Sequence, residues 1–209
     1  MTNWEKNKQF LINSEIAFFD DVPEYVLNYL RNNIIRRNEY SANKNLAGHI
    51  KEEYLYENRP TEIDNFFVNK GFENKNIKYY MNNLQILTKN VPIIIDKLWC
   101  NFMKKHEFNP IHKHAGLLSF IVFLKIPYDL EEEDKVYADI EEKTRKTSRL
   151  EFINFNSTFG LVPRTLDVDK SFENKLLIFP ANYHHQVYPF YTSDEERITV
   201  SGNVRFLIN

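Results

Sequence analysis

Four side chains in two distant stretches have the types and spacing that metal chemistry needs. His112 and His114 stand two apart in Asn109-Pro-Ile-His-Lys-His-Ala-Gly116, so on an extended segment both imidazoles point to one side. One more ligand from a remote strand would complete a facial set and leave positions open for other molecules. The stretch from Phe179 to Pro189 offers His184 and His185, which face opposite ways on an extended segment; periodicity does not choose between them. Arg197 follows, with a permanently charged donor fork suited to a carboxylate, and Thr199 on the same strand face can add a hydroxyl. Imidazole serves iron, nickel, copper and zinc, so His-x-His alone leaves the ion undecided. Read singly, each of these residues is also an ordinary surface group. His49 and His106 lie among charges and are expected on the solvent side.

The elements that must position these groups change character along the chain. Pro23 can open a helix carrying Tyr25, Val26, Tyr29, Leu30 and Ile34 on one face. A second helix is expected from Pro60 to near Gly71, and a third over residues 76–90, with Ile77, Tyr80, Leu84 and Leu87 on a loose stripe. From about residue 93 the pattern turns to strands: Ile93–Ile95, Leu98–Met103, Leu117–Ile126, Leu150–Asn156, Lys175–Phe179, His184–Tyr188 and Arg197–Ile208. Several short strands favour a barrel or sandwich. In the last of them Ile198, Val200, Val204, Phe206 and Ile208 share one face, and Arg197, Thr199, Ser201, Asn203 and Arg205 the other. That polar row fits a surface strand and a wet pocket equally well. The charged stretch from Tyr128 to Ser148 reads as a solvated excursion or as a lid over the barrel mouth.

Composition excludes several classes. With 17 Phe and 12 Tyr in 209 residues, the chain can fill a sizeable core and is not a disordered segment. A net charge near -2 gives no general attraction to nucleic acid or anionic membrane, and no apolar run approaches the length needed to span a bilayer. Cys100 is the only cysteine, which rules out an intramolecular disulfide and thiolate metal clusters and suits a reducing compartment. The polar start lacks a secretory apolar region, so a cytoplasmic protein is expected. The oligomeric state is not legible.

At the residues from Asn109 to Ile121, from Leu177 to Pro189, and from Glu196 to Asn203, the chain resembles the 2-oxoglutarate- and iron(II)-dependent oxygenases. The likeness is greatest to uncharacterised oxygenases of phages and marine bacteria, and it covers roughly residues 95–209. It implies a mainly β fold: a double-stranded β-helix (a jelly roll, cupin-like) over about 93–209, with supporting helices in about 1–92, as one domain spanning 1–209. It also implies a dioxygenase that hydroxylates an unidentified protein side chain or small molecule and releases succinate and carbon dioxide. His112 and His185 then become Fe(II) ligands, and His114 stands where the family usually has a carboxylate. Arg197 would bind the distal carboxylate of 2-oxoglutarate with help from Thr199, while Asn101 would touch the cosubstrate or orient a ligand. Asp129 and the nearby glutamates are alternative sources of a carboxylate ligand. Two other readings stand beside this one. The first is a three-histidine, cupin-like metalloenzyme that does not use 2-oxoglutarate, and the second is a non-catalytic binding or virion-associated protein.

Overall fold

A computed structural model describes residues 1–11, 14–42, 48–84, 91–139 and 146–207. Within them the elements run α1 (Asn3–Phe10), β1 (Ala17–Phe19), α2 (Glu24–Asn32), β2 (Glu53–Leu55), α3 (Thr61–Glu73), α4 (Lys75–Asn83), β3 (Ile93–Met103), β4 (Asn109–His112) and β5 (Leu118–Lys125). There follow α5 (Leu130–Lys135), β6 (Leu150–Asn156), β7 (Gly160–Leu166), β8 (Leu176–Pro180), β9 (His184–Val187) and β10 (Arg197–Phe206). The strands form a six-stranded sheet, ordered β1-β8-β5-β10-β3-β2, and a four-stranded sheet, ordered β4-β9-β6-β7. Every pairing between them is antiparallel. This is a double-stranded β-helix core of jelly-roll type, preceded by helices.

Two separate apolar layers explain the strand sequences. Leu118, Phe120 and Val122 of β5 join Val26, Leu30, Phe67 and Ile77 in a core between the larger sheet and α2–α4. Ile121 and Phe123, on the other face of β5, join Phe152, Leu166 and Phe179 between the two sheets. A strand covered on both faces loses its alternation, which is why residues 117–126 read as one apolar run. Phe67 stacks on Phe120 with ring centroids 4.2 Å apart, fixing α3 to the sheet.

The helix limits differ from the sequence expectation in two places. Gly71 does not stop α3, which continues to Glu73. Its missing side chain serves close approach instead: a Cβ there would lie 2.8 Å from Leu118 Cδ1. The third helix begins under the Asn74 cap, whose side chain accepts from the backbone N–H of Asn76 and Ile77, and its helical residues end at Asn83. Leu87 and Ile208 lie outside the described residues.

The segment before residue 93 is more than a helical support. β1 pairs with β8, and β2 pairs with β3, so it supplies both outer strands of the larger sheet. Within the charged excursion, Asp129 caps α5 and Glu133 is fully buried. The Glu133 carboxylate accepts from the backbone N–H groups of Tyr191 and Thr192 and from the Thr192 hydroxyl. Arg149 pairs with Asp134 and Asp167 nearby. This end of the excursion is tied down as part of the fold; Glu141, Glu142, Lys143 and Arg145 lie outside the described residues.

Candidate metal centre

β4 and β9 are neighbours in the smaller sheet, and their register sets His112 opposite His185. Pro110 is tolerated because β4 is an edge strand. Beyond β4 the chain leaves the sheet, and the His114 N–H donates to Ala181 O in the turn between β8 and β9, at 2.8 Å. Gly116 then turns the chain into β5 at a φ of +112°, where a Cβ would lie 2.6 Å from Val204 O. These three constraints bring the imidazoles together. Their ring centroids are 5.0 Å apart for His112 and His114, 4.3 Å for His112 and His185, and 5.1 Å for His114 and His185. One nitrogen from each lies within 4.8 Å of the others, close enough to share an ion.

The protonation state suits a metal. Nδ1 of His112 lies 2.7 Å from Pro110 O, and Nδ1 of His185 lies 2.9 Å from Tyr183 O. A carbonyl only accepts, so each Nδ1 carries the proton and each Nε2 presents a lone pair. Such an outer hydrogen bond also fixes the ring orientation of a metal-ligating histidine. Burial lowers the basicity of all three rings; for His114 it does so to about 4, with help from His112. They are neutral at physiological pH. Phe179 packs edge-on against His185 at 5.1 Å and keeps that side of the cluster apolar.

Arg197, Thr199 and Asn101 line the same cavity as the three histidines. Arg197 is buried, and its one hydrogen bond to a described residue is a long one, 3.5 Å from Nη1 to Ser148 O. None of the ion pairs among the described residues includes it. The polar face of β10 therefore lines a pocket rather than the surface over Arg197, Thr199 and Ser201. Asn101 sits across from Thr199 on β3, and its Nδ2 donates to the hydroxyls of Thr199 (3.2 Å) and Ser201 (3.3 Å), while its Oδ1 accepts from Trp99 Nε1 (3.0 Å). Both hydroxyl oxygens are thus used as acceptors, and their protons are left to point elsewhere. Asn101 orients donors; its amide is already engaged.

The choice that periodicity left open is made by burial. His185 is buried and His184 is exposed. His49 stacks on Phe108 and His106 packs against Tyr191; both are exposed, and neither belongs to the cluster. Asp129 does not bring a carboxylate to it, being spent on the first turn of α5. Among the described residues the cluster holds three imidazoles and no carboxylate. Sequence reading missed Glu53, a buried carboxylate on β2 that lines a second cavity beside His112 and His114. A three-residue strand has too little pattern to flag it.

A family model described as "Putative 2OG-Fe(II) oxygenase" matches residues 97–203. Among solved structures, an oxidoreductase of the 2OG-Fe(II) oxygenase family from Burkholderia pseudomallei matches with a TM-score of 0.50 at 10% identity, over 97% of this chain and 89% of that one. A prolyl-4-hydroxylase from Pseudomonas putida matches with a TM-score of 0.48 at 10% identity, over 98% and 100%. At 10% identity the Burkholderia pseudomallei structure speaks for the fold alone. No curated protein matches the sequence. Nothing among these matches points to phages or marine bacteria in particular.

Proposed function

Because the chain belongs to the family of 2OG-Fe(II) oxygenases, we propose that it is a three-histidine metalloenzyme of that family that acts without consuming 2-oxoglutarate. His112, His114 and His185 hold a divalent first-row ion, iron(II) by family precedent, and Arg197 anchors a carboxylate carried by the substrate. The observation behind this reading is the donor set. A carboxylate ligand would offset part of the ion's charge, whereas three neutral imidazoles leave it whole and favour an anionic guest.

A bound ion would supply Lewis acidity and open positions for substrate and oxygen. The remaining work belongs to the chain. Pro110 O and Tyr183 O hold two imidazoles in the tautomer that presents Nε2. The Arg197 fork, buried and in no ion pair among the described residues, orients an acidic group by two parallel hydrogen bonds. Thr199 and Ser201 offer hydroxyl protons because Asn101 already occupies their oxygens. Phe179 excludes water from the His185 side.

Arg197 also supports a second reading, a 2-oxoglutarate-dependent dioxygenase in which that cosubstrate is the acid. Anaerobic calorimetry with Fe(II), followed by oxygen uptake and succinate measurement with and without 2-oxoglutarate, separates the two. Near-stoichiometric metal binding without succinate release supports the first. Succinate formed in step with oxygen uptake, and lost in Arg197→Ala, establishes the second. Failure to bind any divalent metal removes both.

A further inference from the structure

Asn109 is a polar residue that the metal reading leaves unused. It stands three before His112 on β4, so regular alternation would turn the two to opposite sides. The pairing with β9 is irregular: Asn109 lies opposite Val187 and His112 opposite His185, three steps on one strand against two on the other. The extra residue brings Asn109 round to the side on which His112 meets His185. There it lines the inner cavity of about 50 Å³ together with Arg197 and the three imidazoles. It also borders an outer cavity of about 270 Å³. The two spaces share Asn109, Trp99, His112 and His114, so a ligand that reaches Arg197 from the outer one runs beside this amide.

The Asn109 Oδ1 is buried and accepts no hydrogen bond, alone in this among the buried side-chain nitrogens and oxygens of the described residues. A buried acceptor without a donor costs free energy, and nearly all such groups in folded proteins have a partner. Packing places this oxygen without satisfying it. A Cβ on Gly48 would overlap Oδ1, so the chain passes the amide with a residue that has no side chain. The neighbouring polar groups are engaged elsewhere: Asn101 bonds Trp99, Thr199 and Ser201, and the Ser119 hydroxyl donates to Asn203. The last torsion of an asparagine is broad, which lets the oxygen turn from Gly48 towards a guest. A guest that brings an N–H relieves a deficit built into the ligand-free protein. Another amide suits best, because its N–H and C=O match the acceptor and donors of the asparagine in a paired contact.

We propose that the substrate is a carboxylic acid that also carries a carboxamide or peptide group, and that Asn109 selects it by receiving the amide N–H beside the histidine cluster. Only the acid end rests on the reading of Arg197 given above. The amide contact stands on the orphaned oxygen of Asn109 and on the irregular step in β4.

Succinamate and levulinate make the test, since they share the acid, the chain and the carbonyl and differ only in an amide NH2 against a methyl group. Calorimetry on the protein with and without excess Zn(II) should find succinamate bound about ten-fold tighter than levulinate. Asn109→Ala should bring the two probes within about two-fold, while Asn109→Asp, which keeps an acceptor, should retain the preference. Arg197→Met should weaken both probes alike and leave their ratio unchanged. Should Asn109→Ala fail to fold, as judged by circular dichroism, the Asn109→Asp variant carries the test. Equal affinity of the two probes for the wild type, a preference that survives in folded Asn109→Ala, or its loss in Asn109→Asp overturns the proposal. If neither probe binds, the Arg197 anchor fails instead, and propionamide against butanone, compared by saturation transfer, decides the amide contact by the same criterion. Zn(II) that does not bind counts against the histidine centre alone, and the ranking in the metal-free protein then decides.

Discussion

His112 and His185 face each other across the β4–β9 pairing with ring centroids 4.3 Å apart, each with its Nδ1 on the carbonyl two residues before it. The same local device thus operates on both strands, and the register makes the two lone pairs converge. Replacing His185 by Ala should weaken Mn(II) or Fe(II) binding by about 100-fold or more, while His184→Ala, at an exposed position, should change it less than about three-fold. Excess Mn(II) should raise the melting temperature of the wild type and fail to do so for His185→Ala. Equal metal affinity in the two variants would refute the ligand assignment.

Arg197 is expected to matter for ligands and little for folding. Its fork is buried with one long hydrogen bond and no ion pair among the described residues. Arg197→Met should leave the thermal midpoint of the ligand-free protein unchanged or raise it, since a poorly compensated buried charge is removed. Carboxylate probes such as succinate should lose about 10- to 100-fold in affinity. Calorimetry and a melting curve on the same sample check both halves.

Glu53 gives a pH dependence whose sign can be worked out. Its folded-state acid lies at about 7, above the ordinary value of 4.5, so the native chain holds a proton that the unfolded chain has released between those limits. The stability associated with that proton is present below about pH 4.5 and is lost as pH rises through about 7. The stability difference between wild type and Glu53→Gln should therefore shift towards the variant between about pH 5 and pH 8, because the histidines titrate alike in both proteins and cancel. Urea unfolding at the two pH values measures it; a difference independent of pH would contradict the burial of this group.

Glu133 should be among the costliest residues to remove outside the centre. Two backbone N–H groups and one hydroxyl donate to its buried carboxylate, and deletion leaves them unsatisfied. Glu133→Ala is expected to lose about 3 kcal/mol of stability. A loss below about 1 kcal/mol in urea unfolding would show that the loop re-forms its bonds elsewhere.

The histidine pair and the β10 alternation were legible because period-two spacing projects directly onto one side of a strand. His185 could not be told from His184 in the same way: adjacent residues always face apart, and only the packing of β9 on β6 and β4 decides which side is inside. β7 escaped notice because it opens on Gly160 and carries Pro163 inside it, and its edge position is what allows the proline. Gly71 looked like a helix stop when its role is contact with Leu118, a tertiary fact with no local trace. Glu133 read as one acid of a charged stretch and Glu53 drew no reading at all; the burial of each depends on residues far away in the chain.

β1 and β2 have a consequence for any attempt to reduce the chain to its metal-bearing half. They occupy the two margins of the larger sheet, pairing with β8 and β3. A fragment starting at β3 would present both of those strands with unsatisfied ladder groups, a template for self-association between molecules. Such a fragment should precipitate or form oligomers even with every imidazole in place, so the first ninety or so residues act as the molecule's own guard against fibre-like growth.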